Sequence, residues 1–155
     1  MGKVIDFTDI DQMLNKASKL NADKAWMKIS GNARTKRLII ELNTIEQLYE
    51  EGVTAQGFGL GFYSAHTLEY KISKGQRFDH ITWNDTGKFY ETWTISTTNE
   101  YIEIDADENL YGKNLFEGRD YDFNDILGLT SENLETLIIE LEKQYLDYVN
   151  RELFG

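Results

Sequence analysis

Gly57, Gly59 and Gly61 alternate in the stretch "QGFGLGFYSAHT", and glycine-rich loops of this kind cradle phosphates. A dinucleotide fingerprint needs Gly-x-Gly-x-x-Gly between a strand and a helix. Counted from Gly57 the last glycine position is Phe62, and counted from Gly59 it is Ser64. No Gly-Lys-Ser or Gly-Lys-Thr completes a P-loop either. The stretch reads instead as a loop with aromatic anchors at Phe58, Phe62 and Tyr63. Two acidic runs imitate a calcium loop. "DADENLYG" puts Asp105, Asp107 and Asn109 at the first, third and fifth positions, but Leu110 where glycine must turn the chain and Phe116 where a bidentate glutamate belongs. "DYDFND" repeats the pattern with Asp120, Asp122 and Asn124, then fails at Asp125 and Ser131. Both read as acidic surface loops.

The histidines are His66 and His80, with no cysteine or second histidine at zinc spacing. Asp79, His80 and Asp85 have the chemistry of a metal site or of a base and its orienter. No nucleophile motif accompanies them. The sequence therefore predicts no catalytic residues, no metal and no cofactor, and a non-enzymatic protein.

With 155 residues, 41% hydrophobic and 13% aromatic, the chain is expected to form one domain with a real core. No segment has the length and apolarity of a membrane span or a signal peptide. The absence of cysteine excludes a disulfide framework. The net charge of −11 is uneven: residues 1–80 hold 11 Lys/Arg against 10 Asp/Glu, and residues 81–155 hold 5 against 17. Such an acidic half repels nucleic acid, so no specific nucleic-acid binding is expected.

Helical spacing of Ile10, Met13, Leu14, Ala17 and Leu20 predicts a helix over 8–28, capped by Thr8 and restarted or kinked at "NAD", 21–23. Leu38, Leu42, Ile45, Leu48 and Tyr49 predict a second helix to Glu51, stopped by Gly52. Residues 53–79 read as loop. "HITW" (80–83), "KFYETWTIST" (88–97) and "EYIEIDA" (100–106) read as antiparallel strands, with Phe89, Trp93 and Ile95 on one face of the second. Turns are expected at "NDTG", 84–87, and "TTN", 97–99. An irregular acidic segment covers 107–129. A terminal helix over 130–153, capped by Thr130 or Ser131, carries a stripe of Leu134, Leu137, Ile138, Leu141, Tyr145, Tyr148 and Val149. The order predicts an α+β fold, with N-terminal helices and a C-terminal helix packed on a small antiparallel sheet.

Taken in order, "FGLGFYSAHTLEYKISKGQ", "ITWNDTGKFYETWTI" and "ILGLTSENLETLI" resemble the phage virion-morphogenesis family, the tail-completion or minor tail and neck proteins. Tyr63, Ser64, Thr67, Lys71, Lys74 and Gly75 match its loop motif. Asp85, Thr86, Gly87, Phe89 and Tyr90 match its turn and strand, and Leu127, Gly128, Leu129, Thr130 and Glu132 match the opening of its last helix. The chain departs in having no proline and in carrying Thr92 and Trp93 where serine commonly ends the turn motif. The resemblance implies a virion structural protein, assembled in the bacterial cytoplasm as a homo-oligomeric ring at the head–tail junction or proximal tail. Its partners would be neighbouring neck and tail proteins, with no membrane.

Several residues keep two readings. Trp83, Tyr90 and Trp93 are either inter-subunit anchors or ordinary core. Glu103, Asp105, Asp107 and Glu108 form either a solvent-facing acidic surface or the wall of a lumen along which DNA slides. The basic cluster "SKGQR" at 73–77 is either a solvated turn or a contact for an acidic neighbour. A small acidic chain also suits a second function, mimicry of DNA to block a host nucleic-acid-binding protein.

Overall fold

Asn21 and Asn32 divide the N-terminal apolar stretch into successive helices, each capping the next by accepting a main-chain N–H, from Lys24 at 2.9 Å and from Thr35 at 2.9 Å. The computed structural model describes residues 7–155, where these helices are α1 (Phe7–Ser18), α2 (Ala22–Ser30) and α3 (Ala33–Glu41). The restart expected near 21–23 is therefore a true break. Thr8 lies inside α1 instead of capping it. Ile10 and Met13 of its expected apolar face lie outside the described side chains, and Leu14 is 62% exposed.

The helix does not end at Glu41 but widens into a π-helix, Leu42–Glu51, closed by Gly52 at φ +64. Bonds from i to i+5 take up an extra residue per turn and rotate the buried face away from the 3.6-residue stripe. Ile39, Asn43, Thr44, Gln47 and Leu48 are buried, whereas Ile45 of the expected stripe is 42% exposed. Gly52 is required twice over. Its φ is left-handed, and an added Cβ would lie 2.3 Å from the His80 ring.

The remaining elements are α4 (Ala65–Ser73), α5 (Lys88–Glu91), β1 (Thr94–Thr97), β2 (Ile102–Asp105), β3 (Asn109–Leu110), β4 (Lys113–Asn114), α6 (Phe123–Ile126) and α7 (Ser131–Phe154). The fold is α+β. Its sheet content is two short antiparallel hairpins, β1–β2 with Ile95 opposite Ile104, and β3–β4. Tyr101, Glu103 and Asp105 face solvent while Ile102, Ile104 and Ala106 turn inward, the alternation expected from the sequence.

Four expectations need correction. Residues 53–79 are not all loop, because Ser64 caps α4. "HITW" forms no strand; its Ile81 N–H makes one bond to the Gly61 carbonyl, at 3.0 Å. "KFYETW" is helical at its start, since Gly87 at φ +84 turns the chain into α5, and Phe89 and Trp93 are both buried with their rings edge to face at 4.8 Å. The segment 107–129 is not irregular throughout, as it holds β3, β4 and α6.

Two core clusters result. One gathers Leu48, Leu60, Ile81, Phe89, Trp93, Phe116 and Ile126, and the other Ile39, Leu42, Ile95 and Leu137. They meet at a polar seam. The Asn43 amide, fully buried, donates to the Ile126 carbonyl at 2.8 Å and accepts from the Gly128 N–H at 3.0 Å and Trp93 Nε1 at 3.3 Å. Gln47 donates to the Gly128 carbonyl at 3.0 Å and accepts from the Thr130 N–H at 2.9 Å. Asn133, one turn into α7, returns a bond to the Leu42 carbonyl at 3.2 Å. That bond turns the Asn133–Leu137–Tyr148 side of α7 inward and leaves Leu134, Ile138 and Tyr145 of the expected stripe 45–47% exposed.

Replacing Asn43 by alanine leaves those buried partners unsatisfied, at about 1–3 kcal/mol for each group left without a bond. Asn43→Ala is expected to lose roughly 3 kcal/mol or more in denaturant unfolding, while Ile45→Ala on the exposed side of the same helix changes stability by less than about 1 kcal/mol. Equal losses would refute the seam as the organising contact.

Candidate functional site

Gly75 at φ +65 ends α4 and folds Gln76 back beneath it, its N–H on the Lys71 carbonyl at 2.9 Å. Gln76 then donates to the Asp85 carbonyl at 2.8 Å and to its carboxylate at 3.1 Å. Lys71 is only 4% exposed, and its ammonium reaches the Asn84 carbonyl at 2.8 Å and Gln76 Oε1 at 3.3 Å. The Tyr63 ring lies 4.8 Å from the same ammonium. Carbonyl dipoles and a ring face, not a carboxylate, thus surround the buried Lys71 Nζ. Among the described residues Lys71 makes no ion pair.

Thr82 is fixed from two sides. Its N–H donates to the Tyr63 hydroxyl at 2.9 Å, and the Tyr90 hydroxyl donates to its carbonyl. The next residue, Trp83, sits at φ +56, a region that a bulky side chain rarely adopts. Its ring stacks on Phe116 at 4.3 Å and its Nε1 donates to the Tyr121 hydroxyl at 3.1 Å. Tyr111 is the other non-glycine residue with positive φ among those described, also +56. Followed by Gly112 at φ +73, it forms the two-residue turn of β3–β4, where both central residues must be left-handed.

These two strained aromatics stand on the wall of one cavity of about 240 Å³, between α4, the 81–89 segment and the β3–β4 hairpin. Tyr63, Thr67, Lys71, Asp85, Thr86 and Phe89 line it, so residues of the first two stretches singled out in the sequence converge on one place. Ser64, Lys74, Gly75, Gly87 and Tyr90 frame it as caps, turns and braces. Leu127, Gly128 and Leu129 do not reach it; they belong to the seam with Asn43 and Gln47. Leu110, Tyr111, Lys88 and Arg119 also stand on the wall and were missed from sequence. The signal for the hairpin, "NLYGKN", is hidden by a tyrosine where Asn or Asp usually stands.

Of the expected interface anchors, Trp93 is a correction: it is 4% exposed and bonded to Asn43, so it serves its own core. Tyr90 is half-buried, and Trp83 presents its ring to the cavity. Glu103, Asp105 and Asp107 face solvent and Glu108 is half-buried; among the described residues none of them makes an ion pair. Asp105 and Asp107 accept from the N–H groups of Ala106 and Asn109, which is turn chemistry. Phe58 and Phe62 are 71% and 83% exposed, so they anchor nothing within the chain; Leu60 is the buried residue of that loop.

Asp79 and His80 adjoin, with Asp79 Oδ2 3.4 Å from His80 Nδ1, but Asp85 does not join them. His80 Nε2 donates to the Tyr49 carbonyl at 2.8 Å, while Asp85 is held by Gln76. The Arg77 guanidinium, bonded to Asp79 and Glu50, holds the Asp79 carboxyl below its ordinary value. Among the described residues no three Asp, Glu or His side chains gather as they would around a metal ion. Compared with family models, curated proteins and solved structures, the chain matches none.

Burial pushes the Tyr90 phenol, and that of Tyr121, above the ordinary value of 10.0. The folded chain thus holds these protons more tightly than the unfolded one. Their contribution to stability is complete below pH 10.0 and is lost as pH rises further. Wild-type protein is expected to unfold with tyrosinate absorbance appearing in the same transition. Tyr90→Phe should weaken that alkaline dependence, and an unchanged profile would contradict the burial of this hydroxyl.

Proposed function

We propose that this chain is a structural protein of a phage or prophage virion, a tail-completion or neck component that assembles as a ring at the head–tail junction or the proximal tail. One observation carries the reading: large apolar side chains stand at the surface of separate elements, Phe58 and Phe62 on the loop before α4, and Leu134, Ile138, Ile139 and Leu146 along α7. Apolar surface of this kind marks contact with other proteins. A ring needs a heterologous interface, in which one face of the subunit meets a different face of its neighbour. The family-motif residues support the same reading, because their roles here are caps, turns and braces around the cavity and the α7 seam.

On this reading the exposed Asp105 and Asp107 face the lumen, where like charge lets DNA pass without binding. The exposed acidic row of Glu103, Asp105 and Asp107, which makes no ion pair among the described residues, favours the second function, a DNA mimic that occupies a basic client. No helix among the described residues is long and apolar enough to cross a membrane.

Native mass spectrometry separates the two functions. The purified chain is expected to show one closed homo-oligomer whose population grows with concentration. A strict monomer at every concentration that instead forms a one-to-one, salt-sensitive complex with a basic nucleic-acid-binding protein would replace the ring with the mimic.

A further inference from the structure

The cavity beside Trp83 is smaller than the roughly 300–1,000 Å³ of small-molecule sites, and at about 240 Å³ it is suited to one aromatic side chain. Its walls include the rings of Tyr63, Trp83, Phe89 and Tyr111. Its rim is cationic in an acidic molecule. Residues 81–155 contain only 5 Lys/Arg, and two of them, Lys88 and Arg119, stand here. Arg119 lies over the Trp83 ring at 5.1 Å and Lys88 over the Tyr111 ring at 5.5 Å. Neither makes an ion pair among the described residues, and Asp85, the carboxylate on this wall, is bonded to Gln76.

The complementary feature is on the same chain. At the tip of the β1–β2 hairpin, Tyr101 is 54% exposed between the exposed carboxylates Glu100 and Glu103. The tip is held in one shape: Thr98 Oγ1 accepts the N–H groups of Glu100 and Tyr101 at 3.2 Å each, and Trp26 Nε1 donates to the Thr98 carbonyl at 2.6 Å. A pre-ordered aromatic loses little freedom on insertion. It cannot enter its own cavity. The open end of the hairpin, Thr94 and Asp105, leads along the chain to the wall residues Phe89 and Leu110, and the strands carry the tip roughly 13 Å from that end.

We infer that the Trp83–Tyr111 cavity is a socket for Tyr101 of a second copy of this chain, with Glu100 and Glu103 of that copy meeting Lys88 and Arg119. The contact rests on the ring reading above and supplies its heterologous interface, because knob and socket lie at opposite ends of one hairpin. Strain at Trp83 and Tyr111 fits this role: both residues are held in left-handed backbone to present their rings to an incoming side chain.

Complementation of two full-length variants tests it. Tyr101→Ala removes the knob and keeps the socket; Lys88→Glu with Arg119→Glu reverses the rim and keeps the knob. All three positions are exposed, so each variant is expected to retain the wild-type circular dichroism and unfolding midpoint. Each alone should self-associate about 30-fold more weakly than wild type, as for loss of a central aromatic anchor. Mixed, they keep one competent contact and should form a one-to-one dimer and nothing larger. Wild-type assembly with neither variant impaired would overturn this contact and leave the ring standing on another face. A wild-type chain that stays monomeric would overturn both. Quenching of tryptophan fluorescence by 4-hydroxyphenylacetate in such a monomer would assign the socket to a small aromatic acid.

Discussion

Two carboxamides on a widened helix decide where the end of the chain goes. Asn43 and Gln47 are fully buried, and between them they bond the Ile126 carbonyl, the N–H and carbonyl of Gly128 and the Thr130 N–H. A buried backbone group must find a partner. The segment 127–130, which follows α6, is neither helix nor strand, so these side chains are its substitute for secondary structure. Once it is held, Thr130 is in place to cap α7, and Asn133 closes the loop back to Leu42. The two core clusters are thereby tied to a single helix, since Leu48 in one and Ile39 and Leu42 in the other lie along it.

Polar residues in such a seam give less net stabilisation than apolar ones but fix geometry more tightly. An apolar contact tolerates sliding, whereas a carboxamide bridging a carbonyl and an N–H accepts one register. The seam also explains why "LGLT" sits apart from the other motif residues. Its task is to aim a helix, and theirs is to shape a cavity.

Sequence reading recovered the α+β class, the Gly52 stop and the facing of β2, and offered a break at 21–23 and a cap at Thr130 as one of two alternatives each, because these rest on local rules of capping or alternation. It failed where a longer-range demand overrode the local pattern. Ile45 and Leu134 have the right spacing for a buried stripe, yet the π-helix and the Asn133 bond turn other faces inward. "KFYETW" has strand composition, but Gly87 sets a helical turn ahead of it. The cavity was not legible. Residues of α4 and the 84–90 turn stood out only through a resemblance and were placed on loops, and Tyr111 and Arg119 come from a segment whose hairpin depends on a tyrosine that no propensity favours.

The π-helix also sets a rule about chain length. Substitutions at outward positions such as Ile45 and Glu46 leave the register untouched, whereas deleting any one residue between Leu42 and Glu51 lets the segment relax to ordinary α geometry. The carboxamides would then rotate out of line with 126–130, and Gly52 would arrive out of phase with His80. Drift among descendants of this gene should therefore alter the lettering of that stretch freely on its wet side while conserving its number of letters.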